Sequence, residues 1–135
     1  PMIDPEGFLA VRLAFARRIA GTGYPFDEEA HRAILLDEVR RSYDPGGTAR
    51  QIAAMAVAGD RRAHLANITV PTLVIHGVDD PLIPPACGQD TARSIPNAVY
   101  LPIEGMGHDL PRDVEERTIE AICNVMAGQS SAEGT

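Results

Sequence analysis

Apolar and polar positions follow two different rhythms along this chain. From Glu6 to Ala20 apolar residues recur as Phe8, Leu9, Val11, Leu13, Phe15 and Ile19 before Gly21-Thr22-Gly23 breaks the run, a length that predicts a helix rather than a strand. A second helix is predicted to start near Asp27. Its acidic first turn, Glu28 and Glu29, suits the positive amino end, and Ala30, Ile34, Leu35 and Val39 carry it to Tyr43 before Pro45-Gly46-Gly47. Thr48 and Gln51 have the spacing of a capping box. They open a third, small-residue helix reaching Ala58 and stopping at Gly59, with a short helical turn over Arg61 to Leu65.

From Val70 the rhythm changes. Pro71-Thr72-Leu73-Val74-Ile75-His76-Gly77 is a continuous β-branched run closed by Gly, the pattern of a strand covered on both faces. Pro84-Pro85 leads a helix from Ala86 toward Ser94, and Ala98 to Ile103 reads as a second strand ending at Gly105. The connection is long enough for a crossover, so the two strands are expected to lie parallel in one sheet. A last helix from Asp113 to about Met126 turns Val114, Ile119, Ile122, Val125 and Met126 toward a core, and Gly128 to Thr135 reads as a frayed tail. The fold class is α/β. Because two strands apolar on both faces leave bare edges, the chain reads as the carboxyl-terminal part of a larger doubly wound sheet. Residues 1–66 form its helical segment, 67–127 the strand-bearing part and 128–135 the tail. If the chain exists alone, those edges predict pairing with another chain.

Length changes this picture little, since 135 residues suffice for one core. Charge narrows it: a net charge of −7 disfavours nucleic acid and anionic membrane surfaces as partners. No apolar run approaches the roughly 20 residues of a bilayer span. A chain opening on Pro1-Met2, with no basic, apolar leader, reads as a cut piece of a longer polypeptide. Cys87 and Cys123 are read as free thiols, Cys123 as a small buried hydrophobe on the last helix. Unpaired thiols without a leader point to the cytoplasm.

Side chains just past the carboxyl ends of parallel strands converge on one crevice. After the first strand comes Gly77-Val78-Asp79-Asp80-Pro81-Leu82-Ile83-Pro84, and after the second Gly105-Met106-Gly107-His108-Asp109-Leu110-Pro111. Asp80 and His108 are distant in sequence, but adjacent strands lie only about 5 Å apart, so a hydrogen bond between them is feasible. Such a carboxylate fixes the imidazole tautomer and leaves the other ring nitrogen free to take a proton. The bland alternative is that Asp79 and Asp80 shape the turn before Pro81, with Asp79 the competing position for the acid. His76 reads as a packed residue hydrogen-bonded nearby, His31 and His64 as helix-surface residues, and no pair of histidines shares a face suited to a metal. Tyr24, Phe26 and Tyr43 are candidates to line an acyl pocket, against the commoner role of core. The nucleophile is missing: no Gly-x-Ser-x-Gly occurs, and Ser42, Ser94, Ser130 and Ser131 fall in predicted helix or tail. Cys87-Gly88 is a conceivable substitute, with a structural role favoured.

The run Pro71 to Gly77, an Asp three residues past that Gly, and then Gly-Met-Gly-His resemble the end of the α/β-hydrolase fold, over Pro71 to Met126. Asp80-Pro81-Leu82-Ile83-Pro84, Ile95-Pro96-Asn97-Ala98 and Gly105 to Pro111 are most similar to the esterase and lipase group that includes aclacinomycin methylesterase. The stretch before residue 71 resembles that group's cap only loosely. The resemblance implies Asp80 as triad acid, His108 as triad base, a serine supplied from upstream, a small-molecule ester as substrate and no cofactor. It also implies that the chain alone is inert. Other reactions of the same scaffold (dehalogenase, epoxide hydrolase, perhydrolase, carbon-carbon hydrolysis), a separately encoded other half, and a non-catalytic binding or dimerisation module are the competing readings.

Overall fold

A computed structural model describes residues 5–42, 44 and 46–128. Its elements are α1 (Pro5–Ile19), α2 (Glu28–Arg41), α3 (Gly47–Ala58), α4 (Arg62–Leu65), β1 (Leu73–Gly77), α5 (Pro85–Ser94), β2 (Val99–Ile103), a 3-10 turn (Arg112–Val114) and α6 (Glu115–Met126). Tyr43, Pro45, Ser130, Ser131 and the tail from 129 lie outside the described residues.

The chain divides into two compact units. One holds the described residues up to Arg17 together with Asp27–Arg61, and the other holds Arg18–Phe26 together with Arg62 onward. In the first, Asp27 caps α2 as its sequence suggests, its carboxylate accepting the Ala30 N–H at 2.9 Å. Thr48 does not cap α3. That helix already begins at Gly47, and Asp44 takes over the entry by accepting the Gly46 N–H at 3.1 Å on its side chain and the Gly47 N–H at 3.0 Å on its carbonyl. Arg12 pairs with Glu38 and Arg32 with Glu6, both exposed pairs of small energetic weight.

The second unit contains the expected parallel pair. β1 and β2 run in register from Leu73 beside Val99 to Gly77 beside Ile103, so both strands end level. Beyond them Ile103, Met106 and Val114 form a buried cluster, with Tyr24, Ile75 and Leu101 packed against it. Tyr24 is thus core. Two expectations about burial need correction. The strand residues before Gly77 are half-buried rather than covered on both faces, and on α6 the residues turned fully inward are Val114, just before it, and Thr118, while Ile119, Ile122 and Met126 are exposed and Val125 half-buried. The cause is the same for both. Among the described residues the sheet has two strands, too little surface to cover both sides of a helix-flanked layer. Cys123 is likewise exposed, not buried, and it and Cys87 are both free thiols.

Candidate active site

The loops after β1 and β2 are stitched to each other by their backbones. Val78 N–H donates to the Ile103 carbonyl and Asp79 N–H to the Met106 carbonyl, each at 3.0 Å. Gly77 ends β1 so close to Met106 and Gly107 that any Cβ there would run into their carbonyls. This stitching fixes where the next side chains point.

Asp80 turns inward, its side chain only 4% exposed. One carboxylate oxygen, Oδ1, accepts the N–H groups of Leu82 at 2.8 Å and Ile83 at 2.9 Å; the other, Oδ2, faces His108 Nδ1 at 2.8 Å. Burial pushes the Asp80 carboxyl up, but the Ile83 N–H, the His108 ring and the Leu82 N–H outweigh it and hold the carboxyl below the ordinary aspartate value, helped by attraction to charge on His108. Asp80 is therefore an anion with both oxygens engaged. His108 Nδ1–H donates to it, so Nε2 is the nitrogen left to accept a proton, on a side chain that is 45% exposed. Asp79 is built differently: it is exposed, and its carboxylate accepts a long contact from the Thr22 hydroxyl at 3.5 Å.

The structure thus brings Asp80 and His108 together and leaves Asp79 aside. His76 lies beside them, its Nε2–H donating to the Ile83 carbonyl at 3.0 Å. His31 Nδ1 is engaged by the Asp27 carbonyl at 2.8 Å, and His64 is exposed on α4. Ser42 caps the end of α2 and Ser94 ends α5, its hydroxyl donating to the Asp90 carbonyl at 2.7 Å, so neither stands on a strand-to-helix elbow. Cys87 sits exposed in the first turn of α5. Among the described residues no cluster of His, Cys, Asp and Glu could hold a metal, and no helix is long and apolar enough to cross a membrane. A cleft of about 560 Å³ opens at the other end of the strands, lined by residues such as Val70, Thr72, Asn97 and Val125, away from this pair.

Sequence reasoning missed one part of the site. Gly21-Thr22-Gly23 reads as a helix breaker, but it interlocks with Gly105-Met106-Gly107. Gly23 N–H donates to the Gly105 carbonyl and Gly107 N–H to the Ala20 carbonyl, both at 2.9 Å, and His108 N–H donates to the Ile19 carbonyl at 2.6 Å. The last carbonyls of α1 are satisfied by the very loop that carries the imidazole. The available signal was the repetition of Gly-x-Gly in two distant loops.

No protein-family model matches the sequence. Rhodomycin D methylesterase DauP of Streptomyces sp. (strain C5) is 36% identical over 125 residues, which cover 91% of this chain and 41% of that protein. Rhodomycin D methylesterase DnrP of Streptomyces peucetius is 34% identical with the same coverage. Among solved structures, a bromoperoxidase from Bacillus anthracis superposes with a TM-score of 0.70 at 28% identity, covering 89% of this chain and 44% of that one. The chain spans about two-fifths of the length of the curated relatives it matches.

Proposed function

We propose that this chain, which belongs to the α/β-hydrolase superfamily and makes up a carboxyl-terminal part of that fold, supplies the acid and the base of a Ser-Asp-His triad to a carboxylic ester hydrolase. The observation that carries this reading is the 2.8 Å contact between His108 Nδ1 and Asp80 Oδ2, made at a carboxylate whose other oxygen is already filled by two backbone N–H groups. Asp80 holds the imidazole in the Nδ1–H tautomer and stabilises its charged form. His108 Nε2 takes the proton of a serine hydroxyl supplied by sequence outside this chain as the serine oxygen attacks the ester carbon. The same proton leaves on the alcohol as the acyl-enzyme forms. Water, deprotonated by Nε2, then releases the acid. The methylesterase names of the relatives support a methyl ester as substrate and methanol as leaving group. Alone, the chain is expected to be inert: its sequence carries no Gly-x-Ser-x-Gly, and among the described residues neither Ser42 nor Ser94 stands on a strand-to-helix elbow. The active form pairs the free sheet edge with the amino-terminal half or a second copy, and residues 1–66 make the cap segment.

The test is ester turnover by the complete protein. Asp80→Asn is expected to lower kcat by about 10³–10⁴-fold while leaving the fold intact, because an amide at that position favours the wrong imidazole tautomer. Asp79→Asn is expected to cost less than about fivefold. Equal effects of the two substitutions refute the assignment. The likeness to a bromoperoxidase supports a second reading, a peroxide-dependent reaction on the same acid and base. Peracid formation exceeding ester hydrolysis would favour it.

A further inference from the structure

We propose that His76 is a positioning residue for the Asp80 carboxylate, acting through the Ile83 peptide. His76 lies in β1, one residue before its end, with its side chain 12% exposed. Its Nε2–H donates to the Ile83 carbonyl at 3.0 Å, and the N–H of that same Ile83 donates to Asp80 Oδ1 at 2.9 Å. The connection after β1 is thereby held at both ends of one residue. Its amide proton points at the acid and its carbonyl points at the strand that the acid follows.

Two further contacts fix the imidazole. Gly88 of α5 packs directly on the ring, so closely that a Cβ at that position would lie 2.8 Å from His76 Cγ and nearer still to Nδ1. On the other side His76 Nε2 lies 3.6 Å from Asp80 Oδ2, too long for a hydrogen bond and close enough to add a positive edge beside the anion. A bare glycine in the interior of a helix costs stability relative to alanine, and here the space it leaves is filled by the ring. The order of action is His76 to Ile83 to Asp80 to His108. The Ile83 N–H is also the foremost of the contacts that hold the Asp80 carboxyl down against its burial. Calling the outcome catalytic rests on the proposed hydrolase reading; the positioning itself does not.

The experiment follows the Asp80 carboxyl carbon by ¹³C NMR in the complete protein labelled at aspartate, with Asp80→Asn used to assign the signal. His76→Leu removes the donor to Ile83 and is expected to move the Asp80 titration to higher pH and to lower kcat about tenfold, the size of one lost hydrogen bond. His76→Gln places an amide N–H where Nε2–H stood and is expected to keep the parent titration and most of the rate. Gly88→Ala displaces the ring without removing it, favours the helix, and is expected to shift Asp80 in the same direction as His76→Leu, so it serves if His76→Leu fails to fold. A folded His76→Leu or Gly88→Ala protein with the parent Asp80 titration overturns the proposal, as does His76→Gln behaving like His76→Leu. A merely packed histidine would change the melting temperature and leave the carboxyl signal in place. Failure of the hydrolase reading is a separate result, an Asp80→Asn protein that turns over ester like the parent.

Discussion

Gly107→Ala is the substitution in which the fold and the site are most tightly joined. Built on this backbone, the new methyl would stand 2.5 Å from the Ala20 carbonyl carbon and closer still to the Ile19 oxygen and the Gly21 nitrogen. All three are main-chain atoms with no rotamer to yield. The loop must therefore lift, and lifting breaks the Gly107 and His108 N–H bonds to the end of α1. Each such bond contributes about 0.5–1.5 kcal/mol net, and overpacking adds about 1–3 kcal/mol, so the loss is about 2–6 kcal/mol in all. At roughly 3 °C or more per kcal/mol for a chain of this size, the melting temperature falls by on the order of 10 °C. Gly59→Ala is the control: with φ +63° and ψ −158° its backbone lies in a region that only glycine adopts readily, so an alanine there is strained by about 1–3 kcal/mol, but nothing lies within 4 Å of the added carbon. Urea unfolding of the two variants separates crowding from strain. Amide exchange at 107 and 108 should rise in Gly107→Ala, and in the complete protein ester turnover should fall with the displaced imidazole. A Gly107→Ala protein within about 0.5 kcal/mol of its parent, with parent-like amide exchange at 107 and 108, would refute the interlock between the two Gly-x-Gly loops.

Two other outcomes follow from named groups. The Asp80 carboxyl ionises at lower pH in the folded protein than in the unfolded chain, where aspartate titrates near about 3.9, so its contribution is complete above that value and is lost as pH falls through the folded one. Unfolding midpoints measured from pH 6 downward should drop through this acid window in the parent and less steeply in Asp80→Asn; parallel curves would show that the interactions around Asp80 survive protonation. Ile103, fully buried beside Met106 and Val114, should cost about 2–5 kcal/mol on substitution by Ala, whereas Ile122→Ala on the exposed face of α6 should stay within about 0.5 kcal/mol in this chain, read by the same denaturation.

The meeting of Asp80 and His108 was legible because each follows a strand with an unmistakable pattern: Leu73 to Gly77 is continuous and β-branched, and both strands stop at a glycine-bearing loop. Parallel topology then leaves one place for residues 80 and 108 to go. What separates Asp80 from Asp79 was not legible from residue type, since it depends on which of the two turns back onto the Leu82 and Ile83 N–H groups. The role of Gly21-Thr22-Gly23 was hidden for a related reason. Its partners lie more than 80 residues away and are backbone atoms, which leave no side-chain signature. The α6 stripe of Ile119, Ile122 and Met126 was read as core-facing because periodicity reports what a helix is made to bury, not whether the covering surface is present.

The sheet itself indicates where a covering surface can attach. Residues in a parallel strand point their N–H and carbonyl groups alternately to one side and the other. Val99 N–H donates to the Thr72 carbonyl and the Ile103 carbonyl accepts from Val78, so Val99, Leu101 and Ile103 face β1, while Tyr100 and Pro102 face away. Pro102 has no N–H to offer on that outer side. A third strand laid against β2 would meet a gap in the ladder where its carbonyl needs a donor, which is why proline marks edge strands. β1 carries no proline between Leu73 and Gly77, and its free side presents an unbroken row of donors and acceptors. Of the two edges unpaired among the described residues, β1's is the one able to take another strand, whether from the rest of a longer polypeptide or from a second copy. A parallel strand placed there would run out at the same end of the sheet as Asp80 and His108. Residues following such a strand would therefore enter the crevice beside Asp80 and His108, the flank from which the serine of the proposed triad would approach.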